Sequence, residues 1–117
     1  MSNELISPFT NDPFALVYMA FKNLYPDKNC ECFLGGVIGN EHYGETVFEE
    51  NGRVTVYIKE TLAVRDAVEI LAHELAHVAV GETEEAHGKE WEDALEAMSD
   101  EYERIVSKLL AEENEYE

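Results

Sequence analysis

Two histidines stand four residues apart in the stretch ILAHELAHVAVG, Ile70 to Gly81, with a glutamate directly after the first: His73-Glu74-Leu75-Ala76-His77. On an α-helix, residues i and i+4 lie one above the other, so both imidazoles are presented to one point. Two neutral imidazoles at that spacing bind one zinc ion, and a third protein ligand leaves a position open for water. Glu74 sits about 100° around the helix from His73, within reach of a zinc-bound water without being a ligand. Zinc brings the pKa of that water towards neutrality; Glu74 takes its proton and later passes it to a leaving amine. His73 and His77 are therefore the expected metal ligands, Glu74 the expected general base and Zn2+ the expected cofactor.

The motif fixes only three positions, and a chain with 26 Asp and Glu raises the chance of an accidental match. Helical phase argues against accident. Val64, Val68, Leu71, Leu75 and Val78 form one apolar stripe that already supplies the packing face of the helix. The histidines fall on the other side, flanked by Ile70 and Val80, where imidazoles without a metal would need other partners.

Two residues compete for the third ligand: His87 in AHGKEW, ten residues after His77, and Glu96 in LEAMSD, nineteen after it. Trp91, Leu95, Met98, Tyr102, Ile105 and Leu109 cluster within about 40° either side of one direction, the buried face of a long C-terminal helix. His87, one turn before Trp91, lies on the edge of that face. Glu96 points about 140° away from Trp91, towards solvent. His87 is the expected third ligand and Glu96 the alternative.

These side chains need a scaffold, and the rest of the chain spells one. Asp12-Pro13 offers an N-cap and a proline at the first helical position. Phe14, Val17, Phe21 and Leu24 follow at helical spacing, and Pro26 ends the element. From Glu31 to about Ile38 the text is short, apolar and glycine-punctuated, which predicts a strand. GNEHYGE reads as a loop. Val47-Phe48, ENG and RVTVYI predict a hairpin turned at Asn51-Gly52. After Glu60 the period changes from two to 3.6, and Gly81 is a natural helix stop. ETEEA is an acidic connector, residues 1–11 read as irregular, and 112–117 as a solvated acidic tail. No repeat or boundary divides residues 1–117. The expectation is a single α+β domain: an N-terminal helix, a small sheet of about three strands, the histidine-bearing helix and a long C-terminal helix.

The formal net charge of −18 over 117 residues narrows the partners. A phosphate backbone or an anionic membrane surface is repelled, and the eight Lys and Arg are scattered rather than clustered. Neither nucleic acid nor membrane is expected as a partner. The charge keeps a small protein soluble; a protein or peptide substrate is the expected partner, and the charge is compatible with a basic one. No signal segment opens the chain and no apolar run reaches membrane-spanning length, so a cytoplasmic monomer is expected. Cys30 and Cys32 would share one face of a strand. Their spacing suits neither a local disulfide nor a zinc ribbon, and they read as two small thiols in a reducing compartment.

Several other residues are explained without chemistry. His42 is either a loop histidine in solvent or a group near the site that supports a ligand or acts on an oxyanion. Tyr57 and Tyr102 read as core tyrosines, the alternative being hydrogen-bond donors in catalysis. Trp91 reads as core support for the His87 turn. Gly81 to Glu85 would rim a cleft and favour cationic substrates. Asp66 would orient a ligand or simply complement the helix dipole.

His-Glu-Leu-Ala-His, a short connector and then His-Gly-x-x-Trp opening a helix resemble the SprT-like (Spartan-related) metallopeptidase domain. The resemblance spans about Gly44 to Met98 and includes the strand-to-helix passage before His73. It implies a zincin-like fold, zinc held by His73, His77 and His87, and Glu74 as general base. It further implies that the strand around Val54 to Ile58 lines the cleft and pairs with an extended peptide substrate. Many members add a cysteine-rich zinc ribbon or DNA-binding segments that this chain lacks. It resembles a minimal catalytic domain, comparable in size to the so-called minigluzincins. The expected function is thus a zinc-dependent peptidase. The alternatives are a gluzincin-type peptidase with Glu96 as ligand, a catalytically silent zincin-fold binding module with an acidic docking surface, and a metal-free acidic adaptor.

Overall fold

The computed structural model describes residues 12–37, 42–82 and 87–114. The expectations for the irregular start, Ile38, most of the acidic connector and the end of the tail lie outside the described residues. Three helices and one mixed three-stranded sheet make a small α+β domain. Among the described residues no helix is long and apolar enough to cross a membrane.

Helix α1 (Pro13–Leu24) begins where the sequence asks it to. The Asp12 carboxylate accepts from the backbone N–H groups of Phe14 (2.9 Å) and Ala15 (3.4 Å), and Pro13 fills the first turn. It buries two adjoining faces rather than one stripe. Val17 and Phe21 enter the main core, while Leu16 and Ala20 pack with Ile105 of the C-terminal helix in a second cluster. Leu24, expected in the stripe, is 38% exposed because it lies in the last turn, beyond both clusters.

Strand β1 (Glu31–Leu34) is shorter than expected, since Gly35 and Gly36 both take positive φ and turn the chain out of the sheet. Strand β2 (Gly44–Phe48) begins three residues earlier than Val47, so Gly44 and Glu45 belong to the sheet and not to a loop. Strand β3 (Val54–Ile58) lies between the two, parallel to β1 and antiparallel to β2, with Gly44 opposite Ile58 and Phe48 opposite Val54. The β2–β3 turn forms at the expected Asn51-Gly52, where the Asn51 side chain accepts from the Arg53 N–H at 2.9 Å. This order corrects one expectation implied by the resemblance. Both hydrogen-bonding edges of β3 are already used, so β3 cannot pair with a peptide; β2, an edge strand among the described residues, has the free edge.

Helix α2 (Val64–Val80) is the hub, packing on β2 and β3 as well as on the two other helices. Leu71, Leu75 and Val78 of the expected stripe are buried and Val68 is half-buried. Val64 is not core: it is 61% exposed, because burial on α2 starts at Ala67 and the first turn projects past the elements that cover the rest. Gly81 ends the helix with φ of 88° and donates its N–H to the His77 carbonyl at 2.8 Å. Helix α3 (Lys89–Asn114) buries Ala94, Met98 and Ile105 and keeps Trp91, Leu95, Tyr102 and Leu109 half-buried, the face read from the sequence.

Candidate metal centre

The α2 backbone stacks His73 and His77, and the turn that precedes α3 brings His87 to them. The His87 Nε2 lies 3.2 Å from the His73 Nε2 and 3.1 Å from the His77 Nε2. The three ligating nitrogens all fall within 4.8 Å of one another. Among the described residues this is the one group of three or more His, Cys, Asp or Glu that converges in this way. Nitrogens bonded to one tetrahedral zinc at about 2.0–2.1 Å stand ~3.3 Å apart, close to the two separations that His87 makes. Imidazole nitrogens as the donor set suit zinc chemically.

Trp91 fixes the arrangement. Its indole N–H donates to the His73 carbonyl at 3.2 Å, and its ring packs against His73 and His87 at 4.7 Å between centroids and against His77 at 5.7 Å. Its role is therefore more direct than support for the His87 turn. Burial pushes the His73 and His77 rings towards the neutral form that ligates; His77, which also feels the two neighbouring imidazoles, is brought down to about 4.

Glu74 sits beside the triad and is only 6% exposed. Its carboxylate accepts from the Thr46 hydroxyl at 2.5 Å, a bond delivered by β2. Burial raises the Glu74 pKa, and the Thr46 hydrogen bond, followed by His87, works in the opposite direction. Gly44, two residues before Thr46 on the same face of β2, lets the helix approach. A Cβ there would meet Ile70 at 2.5 Å and the Glu74 carboxylate at 3.0 Å. A cleft of about 430 Å³ runs along this seam, with His73, Glu74 and His77 on one wall, Gly44, Thr46 and Phe48 on the other, and His87 at the rim.

The remaining sequence candidates divide cleanly. His42 is exposed and lines the cleft, close enough to act on Glu74 electrostatically. Gly81 and Glu82 also line it. Glu96 is exposed and away from the histidines, as its phase required. Asp66 lies in a separate depression with Tyr43, Leu62, Glu69 and Ile70. Tyr57 stacks on Phe33 across the sheet and Tyr102 packs in the core, so neither reaches the cleft. Sequence reasoning missed Thr46 and Gly44. The one signal for them, a small residue and a hydroxyl at i and i+2, becomes readable only when β2 is known to start at Gly44.

Comparison with known protein families, with curated proteins and with solved structures finds no match.

Proposed function

We propose that the chain is a zinc-dependent peptidase, a minimal zincin-like domain of the SprT-like kind. The observation that carries this reading is the convergence of three imidazole nitrogens beside a buried, hydrogen-bonded carboxylate in an open cleft. His73, His77 and His87 would hold the ion. Zinc at such a site supplies a Lewis acid that makes water acidic and polarises a carbonyl. Glu74 then works as the proton carrier: its carboxylate, held by Thr46, takes a proton at one end of the reaction and returns it to the leaving amine at the other. Burial of that carboxylate beside α2 and β2 raises its basicity.

The substrate is an extended peptide that adds to the free edge of β2, and no side chain blocks the strand at Gly44. Glu45 and Glu82 line the cleft and no Lys or Arg does, which favours basic peptides. The decisive experiment measures zinc stoichiometry in protein purified without a polyhistidine tag, then turnover of a broad peptide mixture. Glu74→Gln should keep zinc and lose at least about 10²–10⁴-fold in turnover. His87→Ala should release zinc and Glu96→Ala should not. The reverse pattern would establish the gluzincin-type alternative. Stoichiometric zinc with no cleavage, denatured and basic substrates included, would leave the silent binding module.

A further inference from the structure

The two cysteines, which the peptidase reading does not use, come together. Cys30 and Cys32 point to one side at the start of β1, with their sulfurs 3.9 Å apart, and neither is in a disulfide. We propose that they form a second, independent metal site that takes a soft, low-coordinate cation, copper(I), between two thiolates.

Three observations select that ion. The first is the span. An ion bonded at about 2.3 Å to each of two sulfurs holds them ~3.8 Å apart at a tetrahedral angle and ~4.6 Å apart when linear. A two-coordinate ion favours the linear limit, so the sulfurs, 3.9 Å apart, open by up to ~0.7 Å on binding, a change that rotation about the two Cys side chains supplies. The second is the donor count. Among the described residues no third His, Cys, Asp or Glu converges on the pair. Zinc, which wants four protein ligands in a structural site, is left half-coordinated, whereas copper(I) is satisfied by two soft thiolates.

The third is the setting. The thiols line a cavity of about 410 Å³ whose other walls include Phe14, Tyr18, Leu34 and Leu71. Among the described residues the one side-chain oxygen on that wall is the Tyr18 hydroxyl, a hard donor that copper(I) disfavours and that is turned to the Cys30 carbonyl at 3.5 Å. Cys32 is exposed and provides the way in, while Cys30 is half-buried. Binding releases the two thiol protons and leaves one net negative charge on the bis-thiolate complex. A cation is already fixed beside it: the Lys22 ammonium donates to the Pro26 and Lys28 carbonyls and to the Asn29 side chain, at 3.0, 2.7 and 2.9 Å, in the segment that leads into Cys30.

The site is separate from the histidines. Leu71, which backs this cavity, and His73 are about 200° apart around α2, so the two sites lie on opposite sides of one helix. Substitution at either leaves the other intact. The test uses the full chain with zinc supplied, reduced with a phosphine and kept free of oxygen. It receives one equivalent of copper(I) against a graded excess of bicinchoninate.

The wild type should retain one copper per chain. Cys30→Ser and Cys32→Ser should each weaken retention by about 10²–10⁴-fold, the loss of the second linked donor, with unchanged circular dichroism. His87→Ala should retain copper as the wild type does. The proposal is overturned if the wild type gives up its copper as readily as either serine variant. It is equally overturned if copper is lost with His87→Ala, which would put the ion among the histidines.

Discussion

The contact between Gly44 and α2 makes the sharpest test of how β2 positions the base. In Gly44→Ala the new methyl would lie 2.5 Å from the Ile70 Cγ2, 3.0 Å from the Glu74 Oε2 and 3.1 Å from the Glu74 Cγ. Carbon atoms pack at about 3.5–4.0 Å, so the overlap with Ile70 is about 1 Å. The strand cannot retreat without breaking its ladder with β3, where Gly44 faces Ile58. Ile70 and Glu74 must therefore give way. Overpacking of this kind costs about 1–3 kcal/mol. Restricting the unfolded chain returns about 0.4–1 kcal/mol of that. The net loss of about 1–2 kcal/mol lowers the melting temperature by roughly 4–8 °C in a chain of this size.

The effect on chemistry should be larger than the effect on stability. Glu74 swings away from the methyl and from Thr46, and misplacing a reacting group by about 1 Å costs on the order of 10²-fold in rate. The histidines do not touch Gly44, so zinc stoichiometry should stay at the wild-type value. Thermal unfolding by circular dichroism, metal analysis and peptide turnover at saturating zinc read the three quantities on one sample. A Gly44→Ala protein that melts with the wild type would refute the close strand–helix seam. One that melts early yet turns over at the wild-type rate would refute the placement of Glu74 as base.

Two further perturbations probe the same site. Thr46→Val keeps the volume but removes the hydroxyl donor from a buried carboxylate, which should cost about 1–3 kcal/mol at neutral pH and move the acid limb of the pH–rate profile upward, because burial then acts on Glu74 without its main counterweight; Thr46→Ser should restore both, and an unmoved limb would deny the bond its role. In the metal-free protein His77 is held at about 4 against an ordinary value of 6.5, so as pH falls below 6.5 the unfolded chain takes up a proton that the folded chain refuses. The metal-free protein should lose stability between pH 6.5 and about 4 and no further from this group below that. His77→Asn should flatten that part of the stability curve, and an unchanged slope in melting temperature against pH would count against a buried neutral imidazole.

The sequence carried the helices well because their signals are local. Asp12-Pro13, Gly81 and the Trp91-to-Leu109 periodicity each act within a turn or two, and each falls where the chain uses it. Phase within α3 also turned Glu96 outward, since a helix's angular register depends only on residue spacing, whereas His87 lies in the turn before the helix. Sheet order was less legible. β1 pairs in parallel with β3 although β2 lies between them in sequence, and no local signal encodes a non-local partner. The choice of β3 as cleft strand rested on the family resemblance alone, and no residue pattern pointed to β2 or to Thr46. Val64 and Leu24 show the other limit: periodicity tells which side of a helix faces inward but not where along it the cover ends.

The hydrogen bond from Thr46 to Glu74 has a consequence for how the domain tolerates motion. A peptide added to the free edge of β2 would be indexed by the same strand whose Thr46 holds Glu74, the proposed general base. On the proposed reading, a small slide or twist of β2 would draw the hydrogen-bonded tip of the Glu74 side chain in the same sense as the peptide, within the freedom of a side chain rooted in α2. With three strands in the sheet among the described residues, such a shared reference would serve alignment without demanding rigidity.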